Sequence, residues 1–323
     1  MLNILLVGGA IAAAALIQSI LYAAFFSPLA KFPGPSLARF TDWFRYSKWD
    51  QQHTLLLEQH RKHGPAVRYG PNLVSLTDAS LIPKVYGTRL STAFVKSDFY
   101  SAQDVMLPGG KVIQNVFGVR DKNVHRGMIA PIHSFYTSFP RMLALQPRID
   151  ETLTYFCGLL DERFVQTGKT MDMGAMMKFY AYDVASEFTF SKRIGMLEAG
   201  SDINSQIESG EKGTLWMAQK GQMGAKIDWP ATKMLRGYVN LSSGSSLWAV
   251  EYCMAKLGER FVEIEECKKN GAQLKKNDFL DFFVSLKNDS KNPASDESVL
   301  GWSTLNVLAS GKPYALRIRP SFR

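Results

Sequence analysis

From Leu2 to Phe26 the chain carries no charged side chain, and Asn3, Gln18 and Ser19 are its only polar interruptions. As a helix this stretch would run roughly 37 Å, longer than the ~30 Å hydrocarbon core of a bilayer. The pattern predicts a retained transmembrane helix, because a cleaved signal would show a basic leader and a shorter apolar run. Lys31, Arg39, Arg45 and Lys48 follow, with Asp42 the only acid among them. That positive excess predicts that the rest of the chain faces the cytosol. The sequons at Asn240 and Asn288 would then go unused. Phe32-Pro33-Gly34-Pro35 reads as a stiff, non-helical break between the anchor and a globular body.

In the body, Asp50 to His63 reads as a helix with Leu55, Leu56 and Leu57 on its apolar side, ended by Gly64-Pro65. Ala66 to Tyr69 and Leu73 to Leu76 are short strand candidates, and Gly70-Pro71-Asn72 makes the turn of a hairpin. Asp78 then opens a helix through Ile82 and Val85. Residues 93 to 121 lack periodicity and read as a long loop, with room for a short helix. From 123 onward helical stripes dominate. One runs through Ile149, Leu153, Phe156, Leu160 and Phe164, and a second through Met176, Tyr180, Val184 and Phe188. A third, long helix carries Leu247, Val250, Met254, Leu257, Phe261 and Ile264, and a short one carries Phe279, Phe282, Phe283 and Leu286. After a polar loop at 288–296, Val299 to Ala309 starts another. Stripes of this kind are core faces before they are cofactor boxes. The fold class expected is mainly α with one small β hairpin behind an N-terminal membrane helix.

Composition and charge narrow the function. The 323 residues are 46% hydrophobic, 12% aromatic and 21% charged, which is enough to bury a sizeable core and argues against disorder. The net charge is +9. Lys and Arg are scattered and not interleaved with aromatics along one face, so nucleic acid is not an expected partner. Cys157, Cys253 and Cys267 form no C-x-x-C pair and have no histidine at ligand spacing, which fits a reducing compartment and no metal site. His60 and His63 could share a helix face but have no third ligand. Pro108-Gly109-Gly110-Lys111 lacks the spacing of a P-loop. No G-x-S-x-G elbow is present.

The apolar anchor, Phe32-Pro33-Gly34-Pro35 and the run His63-Gly64-Pro65-Ala66-Val67-Arg68-Tyr69-Gly70-Pro71-Asn72 together resemble the start of microsomal cytochrome P-450 enzymes. The likeness is to the fungal branch that includes pisatin demethylase. Lys96-Ser97-Asp98-Phe99-Tyr100 resembles the opening of that family's B–C loop, and Val124-His125-Arg126 the start of its helix C. Gly301-Trp302-Ser303-Thr304-Leu305-Asn306-Val307-Leu308-Ala309 resembles the first half of helix I. The resemblance implies a heme cofactor, electrons from a membrane-bound NADPH-cytochrome P-450 reductase, and oxidation of a small apolar metabolite by O2. It implies a single-pass protein of the endoplasmic reticulum membrane with its body in the cytosol. It places Phe94, Phe99 and Phe117 in a loop that caps the substrate pocket, and His125 and Arg126 on the heme-propionate side. It divides the chain into an anchor (1–27), a proline-rich hinge and linker (28–49), the helix A to helix I part of the domain (50–311) and a basic tail outside the family pattern (312–323).

Three departures qualify that picture. Where the family carries A-G-x-D/E-T on helix I, this chain has Ala309-Ser310-Gly311-Lys312-Pro313, so a lysine replaces the acid and a helix-breaking proline the alcohol. No E-x-x-R pair and no F-x-x-G-x-R-x-C-x-G loop appear in their family context, and that loop would hold the thiolate that favours O–O cleavage. On helix C the arginine expected four residues after His125 is Ile129, and Arg126 points to a different face. These departures lead to the expectation of a truncated chain without heme-thiolate activity, its hairpin edge unpaired and its apolar faces partly uncovered. The alternative is a membrane-tethered helical binding protein with no catalysis.

Overall fold

The computed structural model describes residues 2–87, 94–103, 105–106, 112–113, 115–222, 244–274, 276–288 and 293–311. Helix α1 covers Leu2–Leu21 and runs on into a wider turn over Tyr22–Phe26. Val7–Phe26, with a mean hydropathy of 1.8, is long and apolar enough to cross a membrane. The chain divides into two compact units: Met1–Phe99 with Ala218–Trp229, and Tyr100–Met217 with Pro230–Arg323.

The first unit is built around the predicted hairpin. Strands β1 (Ala66–Gly70) and β2 (Leu73–Leu76) pair antiparallel, with Val67 opposite Ser75 and Arg68 opposite Val74. Helix α2 (Trp43–Ser47) packs near β1, and the Phe44 and Tyr69 rings meet edge to face at 5.7 Å. Helix α3 (Gln52–His63) stops at Gly64, whose φ of +90° suits glycine. The His60 ring joins the two elements through the Gly64 carbonyl at 2.9 Å and the Ser75 hydroxyl at 2.8 Å. The pair His60 and His63 is thus part of a helix end tied to a sheet. Asp78 accepts the Ser80 N–H at the start of a turn that leads into α4 (Ile82–Val85).

β1 does not alternate: Val67, Arg68, Tyr69 and Gly70 are all buried. The reason is the hinge. Pro33 accepts the Arg68 N–H at 2.7 Å, on the side of β1 away from β2. A β-carbon at Gly34 would land on the Arg68 carbonyl, so glycine permits the close approach. The segment that reads as a break is laid against the strand, and it occupies part of the edge that the sequence leaves open.

The second unit is helical. The long loop contains a 3-10 turn over Asp98–Gln103 and two-residue strands β3 (Val105–Met106) and β4 (Val112–Ile113). Asp121 caps α5 (Lys122–Thr137) through the N–H groups of Asn123 and Val124. Next come α6 (Phe139–Leu160), α7 (Met173–Phe190), the single turn α8 (Met196–Ala199) and α9 (Gln206–Lys220). The long α10 (Gly244–Lys269), the short α11 (Phe279–Ser285) and α12 (Asp296–Gly311) complete the described helices. α12 packs on α7, α10 and α11, and α7 on α6. One apolar cluster joins them, including Phe156, Phe179, Val250, Phe283, Trp302 and Val307.

The stripes are real, but two are rotated from the predicted faces. On α6 Leu153 is exposed, and the buried side is Leu145, Thr152, Phe156 and Leu159. On α10 Met254 is exposed, while Ala249, Cys253 and Arg260 turn inward beside Val250 and Leu257; Leu247 lies outside the residues whose side chains are described. Thr152 and Arg260 are polar, so a hydrophobic count cannot see them as core. α7 and α12 are packed on more than one side, and a helix buried most of the way round shows little periodicity.

Candidate functional site

The element that resembles helix I is α12, and two hydrogen bonds tie it to α5. Pro131 removes one amide from the α5 ladder, the one that would have reached the Gly127 carbonyl. The neighbouring Met128 carbonyl receives the Trp302 indole N–H at 3.0 Å. Two turns further along, the Tyr136 hydroxyl donates to Asn306 Oδ1 at 2.5 Å. Trp302 and Asn306 are four residues apart and share a face of α12. Burial raises the Tyr136 hydroxyl above its ordinary range, with the bond to Asn306 acting the other way.

The last turn of α12 holds Ala309, which is exposed, and reaches Gly311. The side chains of Ser310 and of Lys312, Pro313 and Tyr314 lie outside the described residues. His125 is half-buried in the first turn of α5, its N–H donating to the Asp121 carbonyl at 2.9 Å. Arg126 is exposed on another face. Ile129 packs against the apolar cluster.

The three loop phenylalanines have three different surroundings. Phe94 is 62% exposed. Phe99 lies so close to Gly221 that a β-carbon there would enter its ring. Phe117 is 49% exposed and meets the Tyr100 ring edge to face at 5.4 Å. Pro108, Gly109, Gly110 and Lys111 lie outside the described residues. A cavity of about 790 Å³ in the helical unit is lined elsewhere, by Phe135, Arg141, Phe282, Gln273, Leu274 and Asn277 among others. Arg141 there lies over the rings of Phe135 and Phe282.

Polar groups that a motif search does not single out hold the helices together. The Asp183 carboxylate on α7 is fully buried and accepts the N–H groups of Gly195, Met196 and Leu197 at 2.8 to 3.2 Å. Arg260 on α10 is 2% exposed and bonds Asp278 through both terminal nitrogens, Asp281 at 2.6 Å and the Phe190 carbonyl at 3.3 Å. Burial works against its charge, yet Asp278, Asp281 and Glu263 together hold its pKa above the ordinary value. The only sequence signal for this group is the D-x-x-D spacing of Asp278 and Asp281, and Asp278 also caps α11.

The heme implied by the resemblance needs a thiolate donor, and none of the three cysteines suits that role. Cys253 is buried on α10, and burial pushes its thiol up to about 12. Cys157 is exposed in the last turn of α6, and Cys267 is half-buried near the end of α10. None lies in a glycine-bracketed loop. None of the three cysteines is therefore placed as the thiolate donor that such a group needs. Ile129 stands where the resemblance implies an arginine four residues after His125.

Residues 32–311 match the family model for cytochrome P-450. A cytochrome P-450 monooxygenase of Aspergillus terreus is 33% identical over 309 residues, covering 91% of this chain and 59% of that protein. The cytochrome P-450 monooxygenase cicH of Emericella nidulans is 32% identical over 301 residues, covering 91% of this chain and 57% of that protein. The cytochrome P-450 monooxygenase pkfB of the same fungus is 32% identical over 310 residues, with 91% and 56% covered. The chain spans less than two thirds of the length of these relatives. The match runs from the hinge through the whole helical bundle to the end of α12, and the chain belongs to the cytochrome P-450 family.

Proposed function

We propose that this chain supplies the membrane tether, the hairpin and the helical framework of a monooxygenase. The whole protein would insert one oxygen atom of O2 into a small apolar metabolite, with electrons from an NADPH-dependent reductase in the same membrane. The observation that carries the reading is the family match over 32–311 directly after an apolar helix. The basic residues that follow that helix support a cytosolic body at the endoplasmic reticulum. The wording of the hinge and hairpin supports the branch that includes pisatin demethylase. Phe94, Phe99 and Phe117 are the residues of this chain assigned to substrate contact, and His125 and Arg126 those assigned to the propionate side.

The test is a reduced carbon-monoxide difference spectrum of the membrane-bound protein, followed by NADPH-driven turnover with reductase present. For the 323-residue chain we expect no thiolate-type band, a reading supported by the position of all three cysteines on helices. A thiolate-type band from this chain would overturn that assignment. For the whole protein we expect the band and the uptake of one oxygen atom into product. Absence of both there would overturn the monooxygenase reading.

A further inference from the structure

Arg68 is 1% exposed and sits on the hairpin strand β1. Its guanidinium has no carboxylate among its described partners. It donates instead to four backbone carbonyls: Ala23 at 2.9 Å, Pro71 at 2.9 Å, Arg39 at 3.3 Å and Gly70 at 3.4 Å. Its own N–H is the one that reaches Pro33. Five bonds from one residue thus join the end of α1, the hinge, the turn before α2 and the tip of the hairpin.

The bond to Ala23 has a specific cause. The Ser27 N–H turns back to Tyr22, and the next residue, Pro28, has no N–H to offer. The Ala23 carbonyl therefore lacks a donor from its own helix, at the end where the helix dipole is negative. A guanidinium fits that end. A buried guanidinium in turn needs every one of its carbonyls in place, since an uncompensated buried charge is strongly unfavourable.

We propose that Arg68 couples the apolar helix to the hairpin, so that the two move as one rigid lever and Pro33-Gly34-Pro35 is a splint, not a swivel. The tilt of α1 would be transmitted to the hairpin and, through His60, to α3. The inference goes beyond the proposed function. Its dependence on the membrane-anchor reading concerns only what the lever acts upon, because the coupling itself is measured in detergent micelles.

The test is the distance distribution between spin labels at two exposed positions of this unit, introduced as Gln18→Cys on α1 and Thr77→Cys after β2, in the full chain with Cys157→Ser and Cys267→Ser. We expect one narrow distance, lost to a broad distribution in Arg68→Ala. A broad distribution in the parent chain overturns the proposal. So does an unchanged narrow one in Arg68→Ala with the hairpin amides still protected from hydrogen exchange. If that variant loses hairpin protection, Gly34→Ala decides, because it pushes the splint off β1 while keeping the guanidinium. Broadening there supports the coupling, and an unchanged distance overturns it.

Discussion

Cys253 is buried on α10, and burial raises its thiol to about 12 from an ordinary value of 9.0. The charged form is the one that burial disfavours, so the native state keeps the proton while the unfolded chain loses it at lower pH. The contribution to stability is fully present below 9.0 and is lost as pH rises toward about 12. Alkylation followed by peptide mass analysis reads the same property at neutral pH. Cys157 should be modified in the native protein and Cys253 only after denaturation; rapid labelling of native Cys253 would show that the helix packing is wrong. Both residues lie in stretches that the sequence predicts to be helical. Which of them faces inward was not legible, because a cysteine counts as apolar on either side of a stripe.

Between helices, the strongest restraints are polar and were hidden from a hydrophobic pattern. Arg260 on α10 and Asp278 at the start of α11 are both buried and mutually bonded. Asp278→Ala would remove the fully buried carboxylate and leave the guanidinium to Asp281 and Glu263, and we expect a loss of roughly 3 kcal/mol of stability. A urea titration followed by far-ultraviolet circular dichroism measures it, with an unchanged slope expected if the native state stays compact. The contact between α5 and α12 makes a smaller demand. Trp302→Phe keeps the ring and removes the N–H, leaving the Met128 carbonyl without that donor at a cost of about 1–3 kcal/mol. A midpoint within error of the parent chain would mean that this bond contributes nothing. The helices themselves were legible, since caps such as Asp78, Asp121 and Asp278 and stops such as Gly64 have local signatures. The faces of α6 and α10 were less so, because Thr152 and Arg260 enter the core through their bonds and not through their apolar surface.

For the whole molecule, the order of motifs was the legible signal, and the family match runs over nearly the same residues as the resemblance. The site was less legible. Phe94, Phe99 and Phe117 were chosen as aromatic residues of one loop, and the fold gives each of them a separate environment. Residues far apart in sequence, such as Phe99 and Gly221, meet only through tertiary packing that no local pattern encodes. The proposed tether gives a direct test at this scale. Alkaline carbonate washing of microsomes should leave the full chain in the pellet, and removal of residues 1–27 should release it; release of the full chain would contradict a spanning helix.

The seating of Pro33 and Gly34 against β1 has a further consequence for how this chain behaves in a crowded cell. An open strand edge is a template on which a second copy can add. Here the added layer begins and ends in proline, and proline offers no N–H to a newcomer. On the β1 side the hinge therefore blocks further sheet growth. It lends a two-stranded hairpin some of the protection from self-association that larger sheets gain by covering their margins.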